Sequence, residues 1–266
     1  TVKNVANCPK CKSSHIKGFG TGTQKIEDEI KKHFPDSSVI RMDMDTTTYK
    51  NSHEDILKNF RENNTNILVG TQMIAKGHDF PNVTLVGVLA ANSILNTGDF
   101  RATERTFQLI TQVAGRAGRG KVPGRVIIQT YNTENYSIEC ACSQDYTGFF
   151  EKELIVRERL SYPPFTNIGS IVLSGINDRM VYNKAVDVKK FVDSQFTDDG
   201  NNISILGPSR SIITKIKNKF RWRIVIKYQE LEKLIDVLTG VYDKFYQGQD
   251  KNDTSISVDI NPINML

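Results

Sequence analysis

At 266 residues and 30.0 kDa, with 38% hydrophobic and 24% charged residues, the chain can bury one large core or two modest ones, which excludes a disordered segment. No stretch approaches the roughly 20 apolar residues of a membrane span, and no N-terminal block has signal-peptide order, so a cytoplasmic protein without membrane contact is expected. A net charge of +5 and a pI of 8.9 favour a polyanionic partner, while four clustered cysteines are too few for a disulfide framework.

In chain order, Ile26, Ile30 and Phe34 fall four apart and predict a helix over 23–34, followed by a short strand over 38–42. Ser52, three residues before Asp55, reads as a capping box opening a helix that buries Ile56 and Phe60. Apolar runs at 66–70 and 83–91 predict two strands, Phe107, Ile110, Val113 and Ala117 a third helix, and 125–131 another strand. Apolar strands separated by helices imply an α/β lobe with a parallel sheet covered on both faces. A charged helical stretch over 145–160 ends at Ser161-Tyr162-Pro163-Pro164, where two prolines force an extended turn and mark a domain boundary near residue 160. Beyond it come a strand (168–173), a helix (179–196), strands at 203–206 and 221–228, a helix (231–245) and a strand (255–259). This is the β-α-β-β-α-β order of a small α+β, ferredoxin-like split βαβ domain.

The run Gln112-Val113-Ala114-Gly115-Arg116-Ala117-Gly118-Arg119-Gly120 ends the third predicted helix and places Arg116 and Arg119 three apart, a spacing that can clamp polyphosphate. Gly115 and Gly118 each cost about 1 kcal/mol against alanine inside a helix, which points to close backbone approach to a ligand or a neighbouring lobe. A solvated basic helix end is the alternative for the arginines. The full run resembles motif VI of superfamily 2 helicases. Gly70-Thr71-Gln72-Met73-Ile74-Ala75-Lys76-Gly77-His78-Asp79-Phe80 follows an apolar strand, where open α/β sheets place ligands, and resembles motif V. Thr71, Gln72, Lys76 and His78 are candidate donors to a nucleotide or to the DNA backbone, and Asp79 is a candidate to orient an arginine or a ribose. His78 and Asp79 can equally tie the loop to itself. Arg116 and Arg119 are expected to face an open surface beside the 70–80 loop.

Four further strings narrow the resemblance: Arg41-Met42-Asp43-Met44-Asp45-Thr46-Thr47, Asp99-Phe100-Arg101-Ala102, Glu104-Arg105, and Tyr162-Pro163-Pro164-Phe165. With the two motifs they resemble the primosomal protein N′ (PriA) family of bacterial replication-restart helicases, from Cys8 to about Val258. The resemblance implies a RecA-like second helicase lobe over 23–160, a remnant of a zinc-binding insertion over 1–22, and a C-terminal domain over 161–266. It implies a 3′ to 5′ DNA motor acting at abandoned forks, with Arg119 as the finger arginine and Arg116 on the phosphate side. Implied partners are forked and single-stranded DNA, single-strand-binding protein, other primosome proteins and the loader of the replicative helicase. ATP and Mg²⁺ would be held mainly by a preceding lobe, since the family's Walker A loop and DEEH-type box have no counterpart here. Gly115 to Val122 spells G-x-x-x-x-G-K-V, but the run closes a helix and ends in Val122 rather than the Ser or Thr of a phosphate loop. The first residue, Thr1, is not Met, so an excised chain that does not hydrolyse ATP alone is expected.

Cys8-Pro9-Lys10-Cys11 is half of a tetrahedral zinc site, with His15 as a candidate third ligand. Cys140 and Cys142 could donate, although buried free cysteine is the plainer reading of a helical stretch. The resemblance implies Zn²⁺ in the complete protein, with partner thiolates before Thr1. Lys215, Lys217, Lys219, Arg221 and Arg223 surround Phe220 and Trp222, a mixture suited to phosphates and bases, with a solvated amphipathic strand as the alternative. Two other functions stay open: a non-catalytic DNA- or protein-docking module, and a motor acting on RNA.

Overall fold

The computed structural model describes residues 11, 22–47, 52–62, 65–75, 80, 82–118, 123–196, 203–246 and 254–265. Two compact units emerge, one formed by Thr1–Ser93 with Leu109–Tyr131 and the other by Ile94–Gln108 with Asn132–Leu266.

In the first unit, α1 (Thr23–His33) leads to β1 (Val39–Met42), α2 (Ser52–Glu62) and β2 (Ile67–Gly70). β1 and β2 pair in parallel with Met42 beside Gly70, so both strands end on one edge. Met42, Leu57 and Phe80 are buried together, with Phe60 edge-on to Phe80 at 5.3 Å. β3 (Leu85–Val88) and β4 (Arg125–Ile128) form a second parallel pair, so the parallel strands expected from the apolar runs occur, among the described residues, as two ladders rather than one. Between them lie the short α3 (Asn92–Leu95) and α4 (Ala102–Ala114). α4 is shorter than its apolar spacing predicts: Ala117 and Arg116 lie in a turn beyond it.

The second unit, which takes in Ala102–Gln108 of α4, continues with α5 (Tyr136–Cys142), capped by Asn135, and α6 (Tyr146–Arg159), capped by Asp145, whose carboxylate accepts the Gly148 amide at 2.8 Å. These caps satisfy amides that a helix start leaves orphaned. There follow β5 (Asn167–Gly175), α7 (Asp178–Ser194), β6 (Ser204–Ile216), β7 (Lys219–Tyr228), α8 (Leu231–Tyr246) and β8 (Thr254–Ile260). The sheet order is β6-β7-β5-β8 and every pairing is antiparallel. Val181, Ala185, Val188 and Val192 of α7 and Leu234, Val237, Leu238 and Val241 of α8 bury one face of each helix against Ile171, Leu173, Ile224, Ile226 and Ile256. At about 1.5–3 kcal/mol for a fully buried large aliphatic side chain, this cluster dominates the stability of the unit. No helix among the described residues is long and apolar enough to cross a membrane.

Candidate functional site

The parallel ends of β1 and β2 present the first group of candidates. After β1 the chain turns around Asp43, whose carboxylate accepts the amides of Asp45 and Thr46, each at 3.0 Å, and the Thr23 hydroxyl. Thr46 returns a bond by accepting the Asp43 amide at 2.9 Å. The Thr23 hydroxyl, then the Thr46 amide and the Arg41 guanidinium, hold the Asp43 carboxyl below its ordinary pKa against the opposing effect of burial. Asp43 thus organises the turn that ends β1.

Gly70 closes β2. A Cβ there would lie 2.5 Å from the Met42 carbonyl oxygen and 2.8 Å from Ile74, so only glycine lets the two strand ends approach. Thr71 and Gln72 follow, both exposed, and Gln72–Ala75 winds into a 3-10 turn whose Met73 and Ile74 pack, like Val83, against the Met42–Leu57–Phe80 cluster. Lys76, Gly77, His78 and Asp79 lie outside the described residues.

The second group follows α4. Gln112 is exposed on its last turn, Gly115 bonds back to Thr111 at 3.0 Å, and the chain then leaves the helix. Gly118 adopts φ +74° and its amide donates to the Val83 carbonyl at 3.1 Å. This bond to a distant segment explains why the helix stops before Ala117: the backbone is drawn to the start of β3 instead of continuing its own ladder. Arg116 therefore sits on a turn rather than a helix face, half-buried, while Arg119 lies outside the described residues. Gly118 faces Gly124 so closely that a Cβ on Gly124 would stand 2.2 Å from the Gly118 nitrogen. Gly118 and Gly124, which flank Arg119 in the sequence, thus lie against each other. Sequence reasoning passed over Gly124 and Val83; a Pro-Gly pair just before a strand was the available signal for the first, and Val83 had none.

Asp99, Phe100, Arg101, Glu104 and Arg105 belong to the second unit and make a positioning cluster. Asp99 is buried, accepts the Arg101 amide at 3.0 Å, pairs with Arg105 at 3.0 Å and accepts the Met265 amide at 3.3 Å. Phe100 stacks on Tyr162 with ring centres 5.0 Å apart. Arg157 of α6 joins Glu104 at 2.8 Å to Glu153 at 2.7 Å.

Among the C-terminal candidates, Arg223 is half-buried and donates to the Met265 carbonyl at 2.6 Å; burial is the first cause lowering its pKa. Arg221 lines a cavity of about 340 Å³ with Ser170, Ser174, Ser255 and Asp259. Trp222 is closed off: its indole donates to Asp178 at 2.9 Å, Tyr182 lies 4.7 Å away and Arg210 covers the ring at 5.2 Å. Its expected part in base contact gives way to a packing role.

Cys11 is exposed, and Cys8 and His15 lie outside the described residues. Cys140 is buried and Cys142 exposed, as residues two apart on a helix must diverge, so the pair does not converge on one metal. Among the described residues no three His, Cys, Asp or Glu side chains cluster as metal ligands. The exposed polar groups of Thr71, Gln72 and Gln112, with Arg116, suit an anionic ligand and contain no carboxylate for a divalent cation.

Two families match the chain: the helicase conserved C-terminal domain over residues 13–121 and the primosomal protein N C-terminal domain over 158–263. The chain is similar to the replication restart protein PriA of Bacillus subtilis (strain 168), with 45% identity over 259 residues, 97% of this chain and 32% of the relative. It is similar to that of Synechocystis sp., with 42% identity over 228 residues, 86% of this chain and 27% of the relative. It is similar also to that of Chlamydia muridarum, with 36% identity over 262 residues, 98% of this chain and 34% of the relative. The chain spans about a third of the length of these curated relatives. With two domain matches in succession and such identity along most of its length, the chain belongs to the replication restart protein PriA family, as its C-terminal portion.

Proposed function

We propose that the chain is the second motor lobe and C-terminal domain of an ATP-dependent 3′ to 5′ DNA helicase that recognises stalled replication forks and restarts replication by primosome assembly in the bacterial cytoplasm. The observation that carries this reading is the joint at Val83. Met73 and Ile74, in the turn after β2, and Val83 all pack on the Met42–Leu57–Phe80 cluster, and the turn after α4 donates to Val83 through Gly118, so the segments resembling motifs V and VI are tied to one cluster. On this reading Arg119 is the finger arginine and Arg116 its phosphate-side companion. Gly70, Thr71, Gln72, Lys76, Gly77, His78, Asp79 and Gln112 serve the nucleotide and the DNA backbone.

ATP binds mainly to the preceding lobe, which also supplies the ligands of Mg²⁺, whose role is to neutralise charge on the β- and γ-phosphates. The isolated chain accordingly does not hydrolyse ATP. Arg221 and Arg223 mark the DNA-contacting side of the C-terminal domain, and Cys8 with Cys11 gives two thiolates to a structural Zn²⁺ in the whole protein. Single-strand-binding protein, other primosome proteins and the helicase loader are the protein partners. The proposed division is a remnant over 1–22, a RecA-like lobe over 23–160 and a domain over 161–266; the family matches over 13–121 and 158–263 support the lobe and the last domain. The strand order β6-β7-β5-β8 supports a ferredoxin-like split βαβ for the last of these.

The test is ATP hydrolysis by the full-length gene product on a synthetic fork, comparing wild type with Arg119→Ala. Fork-stimulated turnover that falls by roughly 10³ to 10⁵ in the variant is expected, as for other finger arginines. Undiminished turnover would move the finger elsewhere, and a wild type without fork-stimulated hydrolysis would replace the motor with a docking module.

A further inference from the structure

The cations around Phe220 separate into groups with different fates. Arg223 is engaged by the Met265 carbonyl, and Arg221 lies in the cavity between β5 and β8 residues. Lys215, Lys217 and Lys219 instead crowd the tip of the β6–β7 hairpin, all exposed and, among the described residues, in no ion pair. Lys215 rests 4.6 Å from the centre of the Phe220 ring.

Three features make this tip a free, presented element. The last rung between β5 and β7 joins Gly175 to Phe220, so residues 215–219 run past the end of β5. Lys217 and Asn218 take φ values of +47° and +64°, the tight two-residue turn that matches strand twist. That turn favours glycine or asparagine, yet its first position holds a lysine. Behind the tip, pairing shifts from Arg210↔Trp222 to Lys215↔Phe220, so residues 211–214 stand opposite Arg221 alone. Such a bulge bends the ribbon and sets the tip apart from the sheet.

The acid at the hairpin base does not offset the charge. Asp178 is occupied by Arg210 at 2.5 Å and by the Trp222 indole at 2.9 Å. Lysines often guard an exposed sheet edge, but that duty belongs along the free side of β6. Lys217 lies in the turn itself and Lys219 one residue beyond the last β5–β7 rung, so guarding the β6 edge does not account for them. Three lysines in five residues, in no ion pair among the described residues, create a local field that favours a polyanion.

We infer that the β6–β7 hairpin tip is a grip on the DNA backbone, with Lys215, Lys217 and Lys219 engaging phosphates without reading sequence. The inference rests on the proposed DNA-motor function and assigns its largest salt-dependent C-terminal contact to the tip.

The experiment measures binding of the full-length protein to duplex and to single-stranded DNA over a range of salt. It compares wild type, Lys215→Gln/Lys217→Gln/Lys219→Gln, and a triple variant of equal charge change on α1, Lys25→Gln/Lys31→Gln/Lys32→Gln. The slope of log affinity against log salt should become shallower by about 2 to 3 in the hairpin variant, from roughly 0.9 per phosphate on duplex or 0.7 on a single strand. A drop on one DNA form alone supports the grip and identifies the strand it holds. Lys217→Asn/Asn218→Gly, which removes one charge from a turn it suits better, should lower the slope by about 1. An unchanged slope in both hairpin variants, or an equal drop in the α1 variant, overturns the grip. Wild type that binds DNA without salt dependence overturns the motor reading itself.

Discussion

Gly118 and Gly124 lie on either side of the segment containing Arg119, and each occupies the space a side chain on the other would need. At Gly124 a Cβ would meet the backbone nitrogen of Gly118 at 2.2 Å and the carbonyl carbon of Ala117 at 2.3 Å, atoms that cannot rotate aside. Gly124→Ala should therefore destabilise the first unit by about 1 to 3 kcal/mol, the usual range for forced overpacking. Gly87→Ala is the control: nothing lies within 4 Å of its built Cβ, and it should be neutral or stabilising by up to about 1 kcal/mol. Denaturant unfolding of both variants decides the matter, since equal midpoints would mean that the 118–124 contact relaxes freely. Gly118 was legible in the sequence as a glycine needing close backbone approach, but the expected neighbour was a ligand or another lobe, whereas Gly124 of the same unit lies against it. Its partner was not, because the approach joins residues on opposite sides of a segment with no periodic pattern of its own.

At the scale of elements, legibility followed periodicity. α7 and α8 carry clean apolar stripes and occur close to where the spacing places them. α4 did not run to its predicted end, because the bond from Gly118 to Val83 and a positive φ override an apolar spacing that continues to Ala117. β6 is Ser204–Ile216 rather than a strand over 203–206, because Gly207-Pro208 reads as a strand breaker and the register shifts after Leu206 and after Arg210 interrupt the alternation that announces a strand. The strings at the start of α4 were readable as part of the family resemblance, but their partner on α6 was not, since Arg157 is 53 residues from Glu104.

That partner carries a prediction. Arg157 has only 13% of its side chain exposed, and it bridges Glu104 and a Glu153 carboxylate that is 8% exposed. Tyr136 also donates to Glu153, at 2.7 Å, and burial followed by this carboxylate raises the phenol pKa. Arg157→Ala would leave Glu153 buried beside one neutral donor, and removing one partner of a buried pair costs about 3 to 5 kcal/mol. Arg157→Met with Glu153→Met should recover much of that loss, because it removes the stranded charge as well. Thermal unfolding of the single and double variants tests this, and a double variant no more stable than the single would show that the ion pairs themselves, not the stranded carboxylate, set the cost.

Across the whole molecule the two units differ in how they are held. The second unit closes a continuous cluster from Ile171 to Ile256 beneath two helices, whereas the first gathers Met42, Leu57 and Phe80 beside a two-stranded ladder. The β5 and β7 amides sit in the interior of a four-stranded sheet, so they should exchange with solvent only when the second unit unfolds as a whole. β1 and β2 amides have one ladder and a smaller core behind them, so a lesser opening suffices, and exchange at least about 100-fold faster is expected. Hydrogen exchange read strand by strand checks this on the chain itself. Equal protection in the two sets of strands would mean that the units open together, and the smaller core would then be stabilised by cooperation with the larger one. The expected difference has a functional consequence on the proposed reading. A lobe that must change conformation with each ATP turnover is drawn from the less stable part of the chain, while the domain that presents the lysine tip stays rigid enough to hold it out.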